Sequence, residues 1–164
     1  MKRRNLWRSK LTIAILALAV MVGLLAGCAG KNEESGSLTA AEVAERIEKS
    51  ADLSNMKQGD ANRLEKLYHL TSNDLEDFVL FTASSNVKAD ELLVIRLKEA
   101  SETDRVMEQI EQRIAAQAAK FKDYRPEQYF LIEKRVLKTN GRYILFAVSA
   151  EADSMERIFD EVVS

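Results

Sequence analysis

An α+β domain is the fold class that the sequence predicts, on three observations. Segments rich in branched and aromatic residues come in two pairs, helix-start signals separate those pairs, and an Asn-Gly dipeptide joins the second pair as a hairpin would. The pairs are Asp77 to Ala83 with Glu91 to Lys98, and about Arg135 to Thr139 with Arg142 to Ser149. The expected order is helix, two strands, long helix, two strands, helix: a four-stranded, largely antiparallel sheet packed by the long helix, after an N-terminal signal helix.

The first element is not part of the domain. Lys2, Arg3, Arg4, Arg8 and Lys10 make a basic end without a single acid, and Leu11 to Ala26 (LTIAILALAVMVGLLA) is uncharged and strongly apolar. This is the pattern of an export signal whose basic end stays in the cytoplasm. The run falls somewhat short of the roughly 20 apolar residues that cross about 30 Å of hydrocarbon, and a single-pass anchor is the other way to read it. Leu25-Ala26-Gly27-Cys28 then resembles the lipobox of bacterial lipoproteins, in which small residues lead into a cysteine. The resemblance implies a diacylglyceryl group on the Cys28 thiol and cleavage between Gly27 and Cys28. Small side chains suit a narrow peptidase groove, and the cysteine thiolate is the readily alkylated nucleophile. Each buried methylene contributes about 0.8 kcal/mol, so two acyl chains hold stably where one attaches only reversibly. The expected division is residues 1–27 as signal peptide, 28–37 as lipidated tether and 38–164 as a single domain, anchored outside a bacterial cytoplasmic membrane. Ala29 rather than aspartate follows the cysteine, so the usual inner-membrane retention signal of two-membrane cells is absent.

Ala29 to Ser37 (AGKNEESGS) is small and polar, a flexible tether with a reach of roughly 15–18 Å. Thr39 with Glu42 has the spacing of a capping box and opens the first helix, with Leu38 placed to pack on Val43. Asn62 to Leu70 suggests a short helix after it. Ser101 with Asp104 opens the long helix, whose Val106, Met107, Ile110, Ile114, Ala118 and Phe121 form one stripe to about Asp123. Pro126 suits a first helical position, so PEQYFLIE is read as helix rather than as an early strand extension. Pairing across Asn140-Gly141 sets Leu137 against Ile144 and Arg135 against Phe146 on one face, and Lys138 against Tyr143 and Val136 against Leu145 on the other. Both faces are partly apolar: one must meet the helices, and the other is either covered too or open to a partner. Asp153 with Glu156 opens the last helix, with Met155, Ile158, Phe159, Val162 and Val163 as its core stripe.

Three segments together carry a family resemblance: ADELLVIRLK (Ala89 to Lys98), RIAAQAAKFKDYRPEQY (Arg113 to Tyr129) and VLKTNGRYILFAVS (Val136 to Ser149). With them, roughly Leu38 to Val163 resembles a family of bacterial, mostly cell-surface lipoproteins catalogued only as domain of unknown function 4358. The resemblance implies the lipoprotein form and the order of elements. It carries over no catalytic residue.

Composition narrows the chemistry. Removing the five cations before Cys28 takes the formal net charge from −2 to −7, which opposes binding to nucleic acid phosphates. Cys28 is the sole cysteine; once acylated, it leaves the domain without disulfide, thiol nucleophile or thiolate metal site. His69 is the sole histidine, so any Ser-His-Asp arrangement would have to use it. Asp74, Glu76 and Asp77 lack the Asp-x-Asp-x-Asp-Gly pattern of a calcium loop, and no glycine-rich phosphate loop or G-x-S-x-G elbow occurs. No catalytic residue, metal or cofactor is therefore assigned. Two surface features suggest partner contact: the basic hairpin of Lys134, Arg135, Lys138 and Arg142 with Tyr143, and the tyrosines Tyr124 and Tyr129. The expected role is a non-enzymatic binding or assembly module near the membrane, touching an envelope protein or an anionic envelope component. The alternative is an envelope-acting hydrolase that uses carboxylates.

Overall fold

The computed structural model describes Leu38–Ser164; the signal segment, Gly27, Cys28 and the tether lie outside the described residues. The elements in chain order are α1 (Ala40–Glu48), β1 (Met56–Gly59), α2 (Ala61–Tyr68), β2 (Asp77–Ala83), β3 (Glu91–Arg96), α3 (Thr103–Phe121), α4 (Pro126–Glu133), β4 (Val136–Asn140), β5 (Tyr143–Val148) and α5 (Ala152–Val163). Among the described residues the class is α+β, with one antiparallel sheet in the order β1-β2-β3-β5-β4. The sheet has five strands, not the four expected. The added strand, β1, is the short sequence MKQG, which carries no β-branched or aromatic residue and becomes a strand only by pairing with the edge of β2.

Strand β3 lies at the centre, and Glu91 through Ile95 are all buried there. Leu93 and Ile95 face one way, and Leu92 and Val94 the other. The first face packs on Leu64 and Tyr68 of α2, on Val106, Ile110, Ile114 and Phe121 of α3, and on Ile132 of α4. The second packs on Val43, Ala44 and Ile47 of α1 and on Met155 and Phe159 of α5. Both faces of the sheet are thus covered by helices, which resolves the alternative that the hairpin's two apolar faces left open.

Local rules set several ends. Glu42 N–H donates to Thr39 Oγ1 at 3.1 Å while Thr39 N–H donates to Glu42 Oε2 at 2.7 Å, the reciprocal capping box expected for α1. Pro126 occupies the first turn of α4, as its fixed φ favours. The other two expected boxes do not form. A 3₁₀ turn at Ala100–Glu102 precedes α3, so Ser101 falls inside that turn and Thr103 Oγ1 donates to Ala100 O at 2.7 Å. Helix α5 begins at Ala152 without a side-chain cap, which puts Asp153 inside its first turn, where an acid favours the positive end of the helix dipole.

The hairpin register also differs from the expected one. Val136 pairs with Ala147, Leu137 with Phe146, Lys138 with Leu145 and Asn140 with Tyr143, leaving Gly141 and Arg142 as the turn. Gly141 alone takes positive φ, +57°, as a turn with glycine at its first central position requires. The displacement is two residues, and the period of a strand is two, so every side chain keeps its expected face.

Candidate functional site

A row of directly paired residues crosses the first face near one end of the sheet: Lys57 on β1, Thr82 on β2, Glu91 on β3 and Val148 on β5. Helices α2 and α3 lie across this face, and Tyr68, Arg113 and Gln117 from them cover Glu91. A cleft of about 550 Å³ lies between β1, the loop that follows β2, and α3. A smaller hollow of about 250 Å³, bounded by Gln58, Gly59 and Asp60, shares Lys57, Arg63 and Thr82 with it. Gly59 matters for this wall, since a Cβ there would stand 3.0 Å from Leu80 Cδ2 and 3.1 Å from Arg63 Cγ. The loop is tied down at two points: Lys120 Nζ donates to Asn86 O at 2.8 Å, and Ala89 N–H donates to the buried Gln128 Oε1 at 2.8 Å.

The floor of the cleft is Glu91, 1% exposed and the one buried carboxylate among the described residues. Tyr68 Oη donates to Glu91 Oε1 at 2.5 Å, and Arg113 grips both oxygens, Nε to Oε1 at 3.2 Å and Nη2 to Oε2 at 2.8 Å. Gln117 Nε2 donates to Oε2 as well. Four donors on one carboxylate offset the desolvation of its charge, which would otherwise be prohibitive. Burial, followed by the adjoining Glu91 charge and hydrogen bond, pushes the Tyr68 phenol well above the ordinary tyrosine range. Burial works against the Arg113 cation, but its hydrogen bond and charge contact with Glu91 prevail and hold its pKa above the usual value. The phenol therefore stays protonated as a donor, and the guanidinium stays charged.

Five cations line the cleft, Lys57, Arg63, Lys88, Arg113 and Lys120, against two acids, Asp90 and Glu91. Two well-buried side chains carry an oxygen without a hydrogen-bond partner here: Thr82 Oγ1, on a residue 3% exposed, and Gln117 Oε1, on a residue 4% exposed. Arg63 Nε is likewise buried and unpartnered. Such groups are rare in folded proteins.

Sequence reasoning placed its partner contacts elsewhere. Lys138 Nζ sits 2.9 Å from Glu156 Oε1 and 2.6 Å from Asp160 Oδ2 of α5, and the hydrogen bonds to Asp160 and then Glu156 raise its pKa. Arg135 lies toward α3, with Nη2 3.8 Å from Glu111 Oε2. Arg142 Nη1 donates to Lys98 O at 3.3 Å, Tyr143 Oη donates to Leu38 O at 2.6 Å, and Lys134 Nζ stands over the Phe130 ring at 4.5 Å. The hairpin cations thus point in several directions and form no common patch. Tyr129 packs against the core, while Tyr124 is 65% exposed under Arg125. His69 is exposed and in the left-handed conformation, closing α2 as its N–H donates to Glu65 O at 2.9 Å. Asp74 accepts from Thr71 N–H and Oγ1, while Asp77 accepts from Ala40 N–H at 2.8 Å and pairs with Arg96 Nη2 at 2.7 Å, so both acids are engaged within the domain. No group of three or more His, Cys, Asp and Glu with metal-binding geometry occurs among the described residues.

Lys57, Thr82, Glu91, Arg113 and Gln117 went unremarked in the sequence. The signals for them are a glutamate opening an otherwise apolar strand and a glutamine on the stripe Val106, Ile110, Ile114, Gln117, Phe121.

The family model described as domain of unknown function (DUF4358) matches residues 49–149. The chain belongs to this family. The DUF4358 match begins after α1 and ends before α5, so it is shorter than the Leu38 to Val163 span expected. It takes in the whole sheet, α2, α3 and α4, and with them every residue that lines the cleft. No curated protein and no solved structure matches the chain.

Proposed function

We propose that this DUF4358 protein is a non-enzymatic binding module, held by lipid on Cys28 to the outer side of a bacterial cytoplasmic membrane, with the cleft over Glu91 as its binding site. One observation carries the choice of binding over catalysis: both oxygens of Glu91 are already occupied by Tyr68, Arg113 and Gln117. A general acid or nucleophile needs an oxygen free to reach substrate. The cleft offers such freedom in Lys57, Arg63 and Lys88 instead, which are groups that hold a ligand. The hairpin and tyrosine surfaces give the membrane-proximal partner reading less support, because most of those side chains are engaged within the domain.

The anchor rests on Leu25-Ala26-Gly27-Cys28. Cells expressing the full chain and fed an alkyne-tagged fatty acid should label it in the membrane fraction, and Cys28→Ala should lose the label and keep residues 1–27 attached. Persistent labelling of the Cys28→Ala protein would refute the anchor.

A further inference from the structure

We propose that the cleft binds a phosphate-bearing polyol, a phosphate monoester or diester carried on a hydroxylated carbon chain. This deepens the binding-module reading and rests on it. Of the five cations in the lining, Arg113 is committed to Glu91 and Lys120 to the Asn86 carbonyl. Lys57, Arg63 and Lys88 have no side-chain hydrogen-bond or ion-pair partner among the described residues, and they approach the same space from β1, α2 and the loop after β2. Concentrating free cations inside a concave wall is unfavourable for the empty protein. An anion placed among them relieves that repulsion and gains charge-assisted hydrogen bonds. A phosphate presents three or more acceptor positions and up to two charges, and so suits three separate donors better than a lone carboxylate does.

The buried oxygens specify the rest of the ligand. A carboxylate only accepts, so the Gln117 amide turns its N–H₂ toward Glu91, and its Oε1, on a residue that lines the cleft, is left without a hydrogen-bond partner. That oxygen can take a hydrogen bond only from a donor, which an ionised phosphate diester or dianionic monoester group does not itself supply and a hydroxyl does. Thr82 Oγ1 lies beside Lys57 in the cross-strand row and can donate to a phosphate oxygen or accept from a second hydroxyl. Anion and hydroxyl sites thus occur in one cleft of about 550 Å³, a volume that suits a small molecule or the end of a polymer. The same chemistry is found on free metabolites as monoesters and on lipid headgroups or polymers as diesters.

Titration calorimetry on the full-length protein in an uncharged, phosphate-free detergent tests the inference, with glycerol 3-phosphate, glycerophosphoglycerol and glucuronate as probes. Saturable binding of either phosphate probe is expected, tighter than that of glucuronate. Lys57→Ala and Arg63→Ala should each weaken it about tenfold, and Thr82→Val should weaken it without changing the melting temperature by more than a few degrees. Lys57 is exposed, so its variant should fold normally. Preference for the monoester assigns a free solute, and preference for the diester a headgroup or polymer; both support the ligand class. No saturable heat with either phosphate, glucuronate binding as tight as phosphate, or phosphate binding unchanged in Lys57→Ala and Arg63→Ala would overturn it. Lost phosphate binding with intact fatty-acid labelling would remove the ligand and leave the anchored module. Lost labelling with intact phosphate binding would do the reverse.

Discussion

Arg113→Met exposes the energetics of the cleft floor most directly. Methionine keeps much of the arginine stem and its packing but removes the cation that holds both oxygens of Glu91, at 3.2 and 2.8 Å. Each oxygen then keeps a single neutral donor, Tyr68 on Oε1 and Gln117 on Oε2. Removing one partner of a buried ion pair typically costs about 3–5 kcal/mol, because the other charge stays desolvated. The lower end applies here, since the Arg113 side chain is 19% exposed at the cleft wall and water entering its place recovers part of the loss. A cost of about 3 kcal/mol is a large share of the roughly 5–15 kcal/mol by which small domains are stable, and lowers the melting temperature by roughly 10–15 °C. Urea denaturation followed by circular dichroism measures it as a drop in midpoint at constant slope. Replacing both partners, in Glu91→Leu with Arg113→Met, removes the stranded charge and should cost less than the single change. A loss below about 1 kcal/mol in Arg113→Met, or a double variant less stable than the single one, would refute the claim that Arg113 compensates a buried carboxylate.

Two further outcomes follow from the same geometry. The folded-state pKa of Tyr68 is raised, so the phenol's contribution to stability is complete below the unfolded value of about 10 and is lost as pH rises from there through the folded value. Stability should therefore fall on the alkaline side, and Tyr68→Phe should flatten that fall while costing about 1–2 kcal/mol at neutral pH; parallel slopes in the two proteins would count against it. Gly141→Ala forces a Cβ into positive φ at +57° and should cost about 1–2 kcal/mol in thermal unfolding although nothing lies within 4 Å of the added atom, so an unchanged midpoint would show that the turn relaxes.

Much of the fold is written locally. The branched and aromatic residues of β2 run from Phe78 to Thr82, one residue inside each end of the strand, and the Thr39–Glu42 box and Pro126 mark the starts of their helices. The hairpin's faces could be read from alternation, but its turn could not. Asn140 and Gly141 both tolerate positive φ, and the register in which β4 pairs with β5 puts Gly141 first in the turn. Strand β1 had no local signal, because MKQG is drawn into the sheet by the free edge of β2.

By itself the sequence determined the α+β class, four of the strands, the core stripes of α3 and α5 and the family to which the chain belongs, since periodicity and caps are properties of neighbouring residues. Only the tertiary structure decided that both faces of the sheet are covered and that a cleft exists at all. Tyr68, Arg113 and Gln117 lie 22 to 26 residues from Glu91 along the chain, and a carboxylate's partners are chosen by distance in space. What reads in sequence as one acid at the start of a strand and scattered cations becomes, once α2 and α3 cross that strand, a compensated charge beside three cations without side-chain partners among the described residues.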